Sequence, residues 1–248
     1  MKKIIILLII SSTILFGKVP SWFIETPETP AGIYLAVGYT DNFFDRDLAR
    51  RVAVDRAINT MAKQKQLNLL FSTSNISDGR FVLGKPNFEE IYEEAVFNEM
   101  MENHMIVDSV FLGKQCFFLV QYPASSNPVK VNTEIRGWGP KPSWIDTLPE
   151  NGNYIYGLGA TANYVYFARG WKDTDSFARF DVGKNIFIKV ENWLQDSRGS
   201  KSDRTNSQSS QFYDISIFNC KVVKRWYDKE QDIFYSLCRL PKNSYQIN

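Results

Sequence analysis

The sequence predicts an α+β fold built from two tandem modules, each a long helix packed on a small antiparallel sheet. Three observations carry this expectation. Pro-Ser-Trp followed by an apolar residue occurs at Pro20–Phe23 and again at Pro142–Ile145, 122 positions later. A run rich in aromatic and branched residues follows each copy, Ile33–Thr40 and then Ile155–Thr161, with Gly38 and Gly159 121 positions apart. Such runs, bounded by Pro and Gly, read as strands. Each half then closes with two apolar runs around a short polar connection, which reads as a hairpin. A recurrence at a fixed spacing is the mark of a repeated unit.

The elements follow in order. Lys2 and Lys3 precede an uncharged run from Ile4 to Phe16, the layout of a secretory signal. That run is short of the roughly 20 residues a membrane span needs. A signal over residues 1–17 is expected, with the first module over 18–123, a linker over 124–140 and the second module over 141–248. The chain is therefore expected to be exported, to the periplasm or the outer membrane.

In the first module Leu48, Val52, Ala53, Ala57 and Met61 recur at helical spacing, with Arg50, Arg51, Asp55 and Arg56 on the other side. Asp45 or Asp47 is the expected cap. In the second module Val182, Ile186, Val190 and Trp193 form the stripe, behind a cap at Asp175 or Ser176. Matching Ala49-Arg50 with Ala178-Arg179 leaves eight extra residues in the second copy, around Tyr164 to Trp171. Tyr164, Tyr166, Phe167 and Trp171 of this aromatic insertion either form a partner surface or pack beneath a long loop.

The middles of the two modules differ. Phe88, Ile91, Tyr92 and Ala95 predict a second helix, with Glu89, Glu90, Glu93 and Glu94 mostly on its solvated side. Ser197 to Gln211 is polar and low in complexity, and reads as a loop. Pro20, Trp22, Pro142 and Trp144 are expected to pin the start of each module, Gly38 and Gly159 to shape its strand, and Trp226 to anchor the last hairpin.

Composition excludes several functions. A net charge of +2, with basic residues interleaved among acidic ones, gives no footprint for nucleic acid. His104 is the only histidine and has no nucleophile motif beside it, so no triad is read. One His with three scattered Cys does not suggest a zinc site. Asp173-Thr174-Asp175 reads as a helix cap, and Gly157-Leu158-Gly159 lacks the later glycine of a dinucleotide loop. No catalytic residue, metal or cofactor is therefore expected. Cys116, Cys220 and Cys238 read as buried thiols, of which any two could pair in an oxidising compartment.

Pro142, Trp144, Leu158-Gly159, the run Val222-Val223-Lys224-Arg225-Trp226-Tyr227-Asp228 and Tyr235 to Leu240 together resemble the LPP20-type envelope proteins. The first copy shares the Ala-rich helix, Ala49 through Ala62, but lacks the Arg-Trp pair. The resemblance implies a helix on an antiparallel sheet in a bacterial envelope or flagellum-associated protein. Many members are lipoproteins. Here Lys18 stands where a lipid-bearing Cys would be needed, so membrane association is expected only through partners or an uncleaved signal. The functional expectation is a non-catalytic structural or interaction component, binding envelope proteins or itself. The alternative is a periplasmic binder of a glycan, peptide or lipid, marked by a pocket of roughly 300–1,000 Å³ between the modules.

Overall fold

The structure is a computed structural model that describes residues 17–41, 45–72, 88–113, 115–162, 166–198 and 212–248. The signal expected over the first residues lies almost wholly outside this set. The elements are β1 (Val19–Pro20), α1 (Ser21–Ile24), β2 (Tyr34–Asp41), α2 (Arg46–Lys65), β3 (Gln66–Ser72), β4 (Phe88–Ile91), α3 (Glu94–Glu102), β5 (Met105–Leu112) and β6 (Gln115–Tyr122). They continue with β7 (Ile135–Arg136), β8 (Tyr154–Ala162), α4 (Phe167–Arg198), β9 (Phe212–Phe218), β10 (Lys221–Asp228), β11 (Ile233–Pro241) and β12 (Tyr245–Ile247). Among the described residues the protein is thus mixed α/β, with four helices and several small antiparallel sheets.

Two three-stranded sheets share one strand order, β2-β6-β5 and β8-β11-β10. Each outer hairpin strand carries a register shift at its third residue, between Ile106 and Asp108 in β5 and between Val222 and Lys224 in β10. α2 lies on the first sheet and α4 on the second. Close approach requires glycine at both contacts. A Cβ on Gly38 would stand 1.7 Å from the Ala53 carbonyl oxygen, and one on Gly159 would stand 2.0 Å from that of Thr174. Ala53 and Thr174, like the two glycines, are 121 positions apart, and so are the first residues of α2 and α4.

That spacing corrects the expected insertion. Within the expected insertion, Phe167 to Trp171 are the first turns of α4, and at the offset of 121 Ala57 rather than Ala49 falls opposite Ala178. The reason is burial. Phe167, Ala168 and Trp171 occupy one apolar helix face and are 2%, 2% and 0% exposed. Asp175 sits inside the helix and does not cap it. In α2, Asp45 does cap, accepting from the Asp47 and Leu48 amides at 2.9 and 3.1 Å. Leu48 itself is exposed, and the buried row runs Ala49, Ala53, Ala57, Met61.

Two further expectations are corrected. Phe88–Ile91 is a strand, paired with β3, and the helix begins only at Glu94. Alternation turns Phe88 and Glu90 inward and leaves Glu89 and Ile91 exposed. α4 continues through Arg198, past the expected loop start, while residues 199–211 lie outside the described set. The burial of Val190 and Trp193 is likewise outside it. The linker expected over 124–140 has contacts of its own. Its β7 pairs with β1, and its Trp138 is buried.

The largest core draws on both halves. The face of β2 and β6 that α2 leaves uncovered carries Leu35, Val37, Tyr39, Phe117 and Leu119, and α4 brings Phe167 and Trp171 onto it. Phe23 sits at the centre, 4.9 Å from the Phe117 ring and 5.3 Å from that of Trp171. A four-stranded sheet, β12-β9-β3-β4, also mixes the halves, with Leu69 opposite Ile215. Both α2 and α4 therefore meet β2, and with its Tyr39 they line a common cavity.

Candidate functional site

Two helices of the same orientation towards their sheets place polar residues at the same spacing. α2 carries Arg56, Asn59 and Lys63, and α4 carries Lys172, Asp175 and Arg179, both at i, i+3 and i+7. This spacing puts each set on one helix face. Those faces, with Tyr39, Tyr92 and Phe97, line a cavity of about 360 Å³. Val52, Asp55 and Thr60 complete its wall.

The inner end of the cavity is a buried ionic network. Arg225 Nε and Nη2 donate to the two Asp175 carboxylate oxygens at 3.1 and 2.7 Å. Ser236 Oγ donates to Asp175 Oδ1 at 2.6 Å, and Tyr39 Oη donates to Oδ2 at 3.4 Å. The Arg225 guanidinium also lies over the Phe23 ring, 5.0 Å from its centre. Burial, and then the Asp175 charge, push the Tyr39 phenol well up, so it stays a neutral donor. Burial works against charge on Arg225, but Asp175 overcomes this and raises its pKa.

A second network closes one side. Glu90 of β4 accepts from Arg179 Nε at 2.6 Å and from Lys63 Nζ at 2.6 Å, with Arg179 Nη2 at 3.3 Å. All three side chains are largely buried. Burial alone would raise the Glu90 carboxyl, but Arg179 and Lys63 together hold it down to about 2. At Lys63 the balance differs, because burial outweighs the pull of the shared carboxylate and lowers its pKa. The direct 2.6 Å contacts of both Lys63 and Arg179 with the ionised Glu90 favour the charged form of each cation.

Two cations of the wall remain outside these networks. Arg56 donates Nη1 to the Tyr39 carbonyl at 2.8 Å, capping the edge of β2. Lys172 is exposed at the rim. Among the described residues, neither makes an ion pair within 4.0 Å. Asn59 Nδ2 donates to Tyr92 Oη, which leaves the phenol hydrogen available to an occupant.

The residues singled out from sequence fall elsewhere. Tyr164 lies outside the described set. Tyr166 is 64% exposed, whereas Phe167 and Trp171 are core residues and present no ring to a partner, which corrects the expected aromatic surface. Trp22 is buried and donates to Asp108 Oδ2 at 2.9 Å, and Pro20 precedes α1. Pro142 precedes a short turn that buries Trp144, and Trp226 Nε1 donates to the Gly139 carbonyl at 3.3 Å. His104 is half-buried at the end of α3, its Nδ1 donating to the Met101 carbonyl at 2.8 Å. Cys116, Cys220 and Cys238 are buried free thiols. Sequence reading missed the cavity wall, although the matched i, i+3, i+7 polar lines were its available signal. It also assigned Glu90 to solvent.

No family model, curated protein or solved structure matches the chain.

Proposed function

We propose that this chain is a non-catalytic, exported component of a bacterial cell envelope that binds a small ligand between two tandem LPP20-like modules. The cavity carries this reading. About 360 Å³ falls within the size of small-molecule sites, and polar groups from both long helices converge on it. The tandem organisation is supported by the offset of 121 shared by the two glycines, the helix residues they meet and the first residues of the long helices, and by the shared strand order of the two sheets. The non-catalytic reading rests on the single histidine and the lack of any nucleophile motif around it. Burial of Phe167 and Trp171 removes the main support for an aromatic partner surface.

A panel of neutral glycans, short peptides, lipids and small anions tests this by thermal shift on the full chain. At least one class is expected to raise Tm, and filling the cavity by Asn59→Trp should abolish that rise. If no class raises Tm, the reading falls.

One observation favours a second reading, assembly with envelope proteins or with itself. The outer edge of β10 is bound by Glu25 and Thr26, the Thr26 amide donating to the Val223 carbonyl at 3.0 Å. Among the described residues, the matching edge of β5 has no strand on its outer side, and Phe111 there is exposed. Unpaired edges accept strands. Light scattering is then expected to give an oligomer that Phe111→Lys dissociates, and a monomer in both forms would end this reading.

A further inference from the structure

We propose that the cavity between α2 and α4 selects an anion, binding the phosphate or carboxylate of a small molecule whose apolar body rests on Val52, Tyr92 and Phe97. This rests on the ligand-binding reading above and names the chemistry of the occupant.

Unequal pairing of charge leads to it. Lys63 and Arg179 share one carboxylate, Glu90, so a buried group of three carries one uncompensated positive charge. Arg56 and Lys172 reach the same space from opposite helices, and neither has an ion-pair partner among the described residues. The carboxylates nearby do not fill that need. Asp175 is taken by both donors of Arg225. Asp55 is exposed at the rim, and Asp41 feels the Arg56 charge without reaching ion-pair contact. The excess charge of the buried Lys63–Glu90–Arg179 group is costly away from water, so an anionic occupant lowers the energy of the site as it enters, with Arg56 and Lys172 adding attraction at the partly exposed side.

The hydrogen-bonding inventory agrees. Arg56 keeps most of its guanidinium donors after one contact to Tyr39, Lys172 offers its ammonium, and Tyr92 offers its hydroxyl. Asn59 spends a donor on Tyr92, and the Thr60 hydroxyl is turned to the Arg56 carbonyl at 2.9 Å. A wall rich in donors fits acceptor-only oxygens and fits a neutral sugar, with donors of its own, less well. Arg56 and Lys172 sit on facing helices, so they would grip one anion from both sides.

Calorimetric titration of the full chain with inorganic phosphate, phenyl phosphate, benzoate and the neutral benzyl alcohol tests the proposal. Phenyl phosphate or benzoate is expected to bind at least about tenfold more tightly than benzyl alcohol, the better of the two identifying the anion. Lys172→Gln and Arg56→Gln are each expected to weaken that binding about tenfold. Lys172 is exposed, so Lys172→Gln should keep the wild-type Tm and separates lost affinity from lost fold. Benzyl alcohol binding as tightly as the anions, or Lys172→Gln leaving anion affinity unchanged, overturns anion selection and leaves the ligand-binding reading standing. Failure of all four probes up to about 10 mM, together with a flat thermal-shift panel, overturns both.

Discussion

Individual side chains in this protein are governed by where their charge or ring finds a partner. Asp175 and Arg225 form a buried bidentate pair joined by Ser236 and Tyr39. Removing one member strands the other's charge in the core. Asp175→Ala is expected to cost about 3–5 kcal/mol in urea unfolding, and a loss below about 1 kcal/mol would contradict this account of the pair. Glu90 gives a pH signature. Its folded pKa of about 2 lies below the ordinary 4.5, so the unfolded chain takes up the proton first. The carboxylate stabilises the fold fully above about pH 4.5, and this is lost as pH falls through about 2, an effect of about 3 kcal/mol. Glu90→Gln should remove that acid limb, and an unchanged stability profile between pH 2 and pH 4.5 would refute the assignment. The cysteines also separate. Cys220 and Cys238 share one core cluster, where burial and then the neighbouring Cys220 thiol push the Cys238 thiol up, while Cys116 lies in another cluster, its Sγ 3.9 Å from the Ala49 carbonyl. Oxidation is expected to join Cys220 to Cys238 and leave Cys116 free, as peptide mapping under non-reducing conditions would read.

At the scale of elements, the two long helices owe their positions to small residues. Gly38 and Gly159 let a helix backbone come within contact of a strand, and Ala49, Ala53 and Ala57 keep α2 low on its sheet. Gly38→Ala places a methyl group 1.7 Å from a backbone oxygen. The helix must move, and a loss of about 1–3 kcal/mol or more is expected by chemical denaturation. Gly152→Ala, which meets nothing within 4 Å, is the matched control and should be nearly neutral. Strand and helix were legible locally here, because β2 and β8 are aromatic and branched runs bounded by Pro and Gly, and the period of 3.6 survives in α2 and in the buried Val182 and Ile186 of α4. Phe88–Ile91 was not. Four residues with two glutamates give no period of their own, and pairing with β3 makes the strand.

The whole molecule folds around contacts that cross from one half of the chain to the other. Phe23, Phe117, Trp138, Phe167 and Trp171 belong to one cluster, and β3 pairs with β9. Heating the full chain is therefore expected to give one cooperative transition, with calorimetric and van't Hoff enthalpies equal. Two resolved transitions would show that the halves are independent. For the same reason fragments 18–123 and 141–248, made separately, should expose apolar faces and aggregate.

The candidate site belongs to this scale as well. Lys63, Glu90 and Arg179 come from three elements, and 89 positions separate Glu90 from Arg179. Each looks like an ordinary solvated charge in its own segment. By itself the sequence determined the doubled spacing of Pro-Ser-Trp and glycine, the amphipathic stripe of α2 and the closing hairpins, since each follows from a local pattern of residues. Only the tertiary structure decided that Phe167 and Trp171 are core and that a cavity lies between the helices. Burial and charge pairing depend on surfaces brought together from distant parts of the chain, and no local pattern encodes which surface arrives.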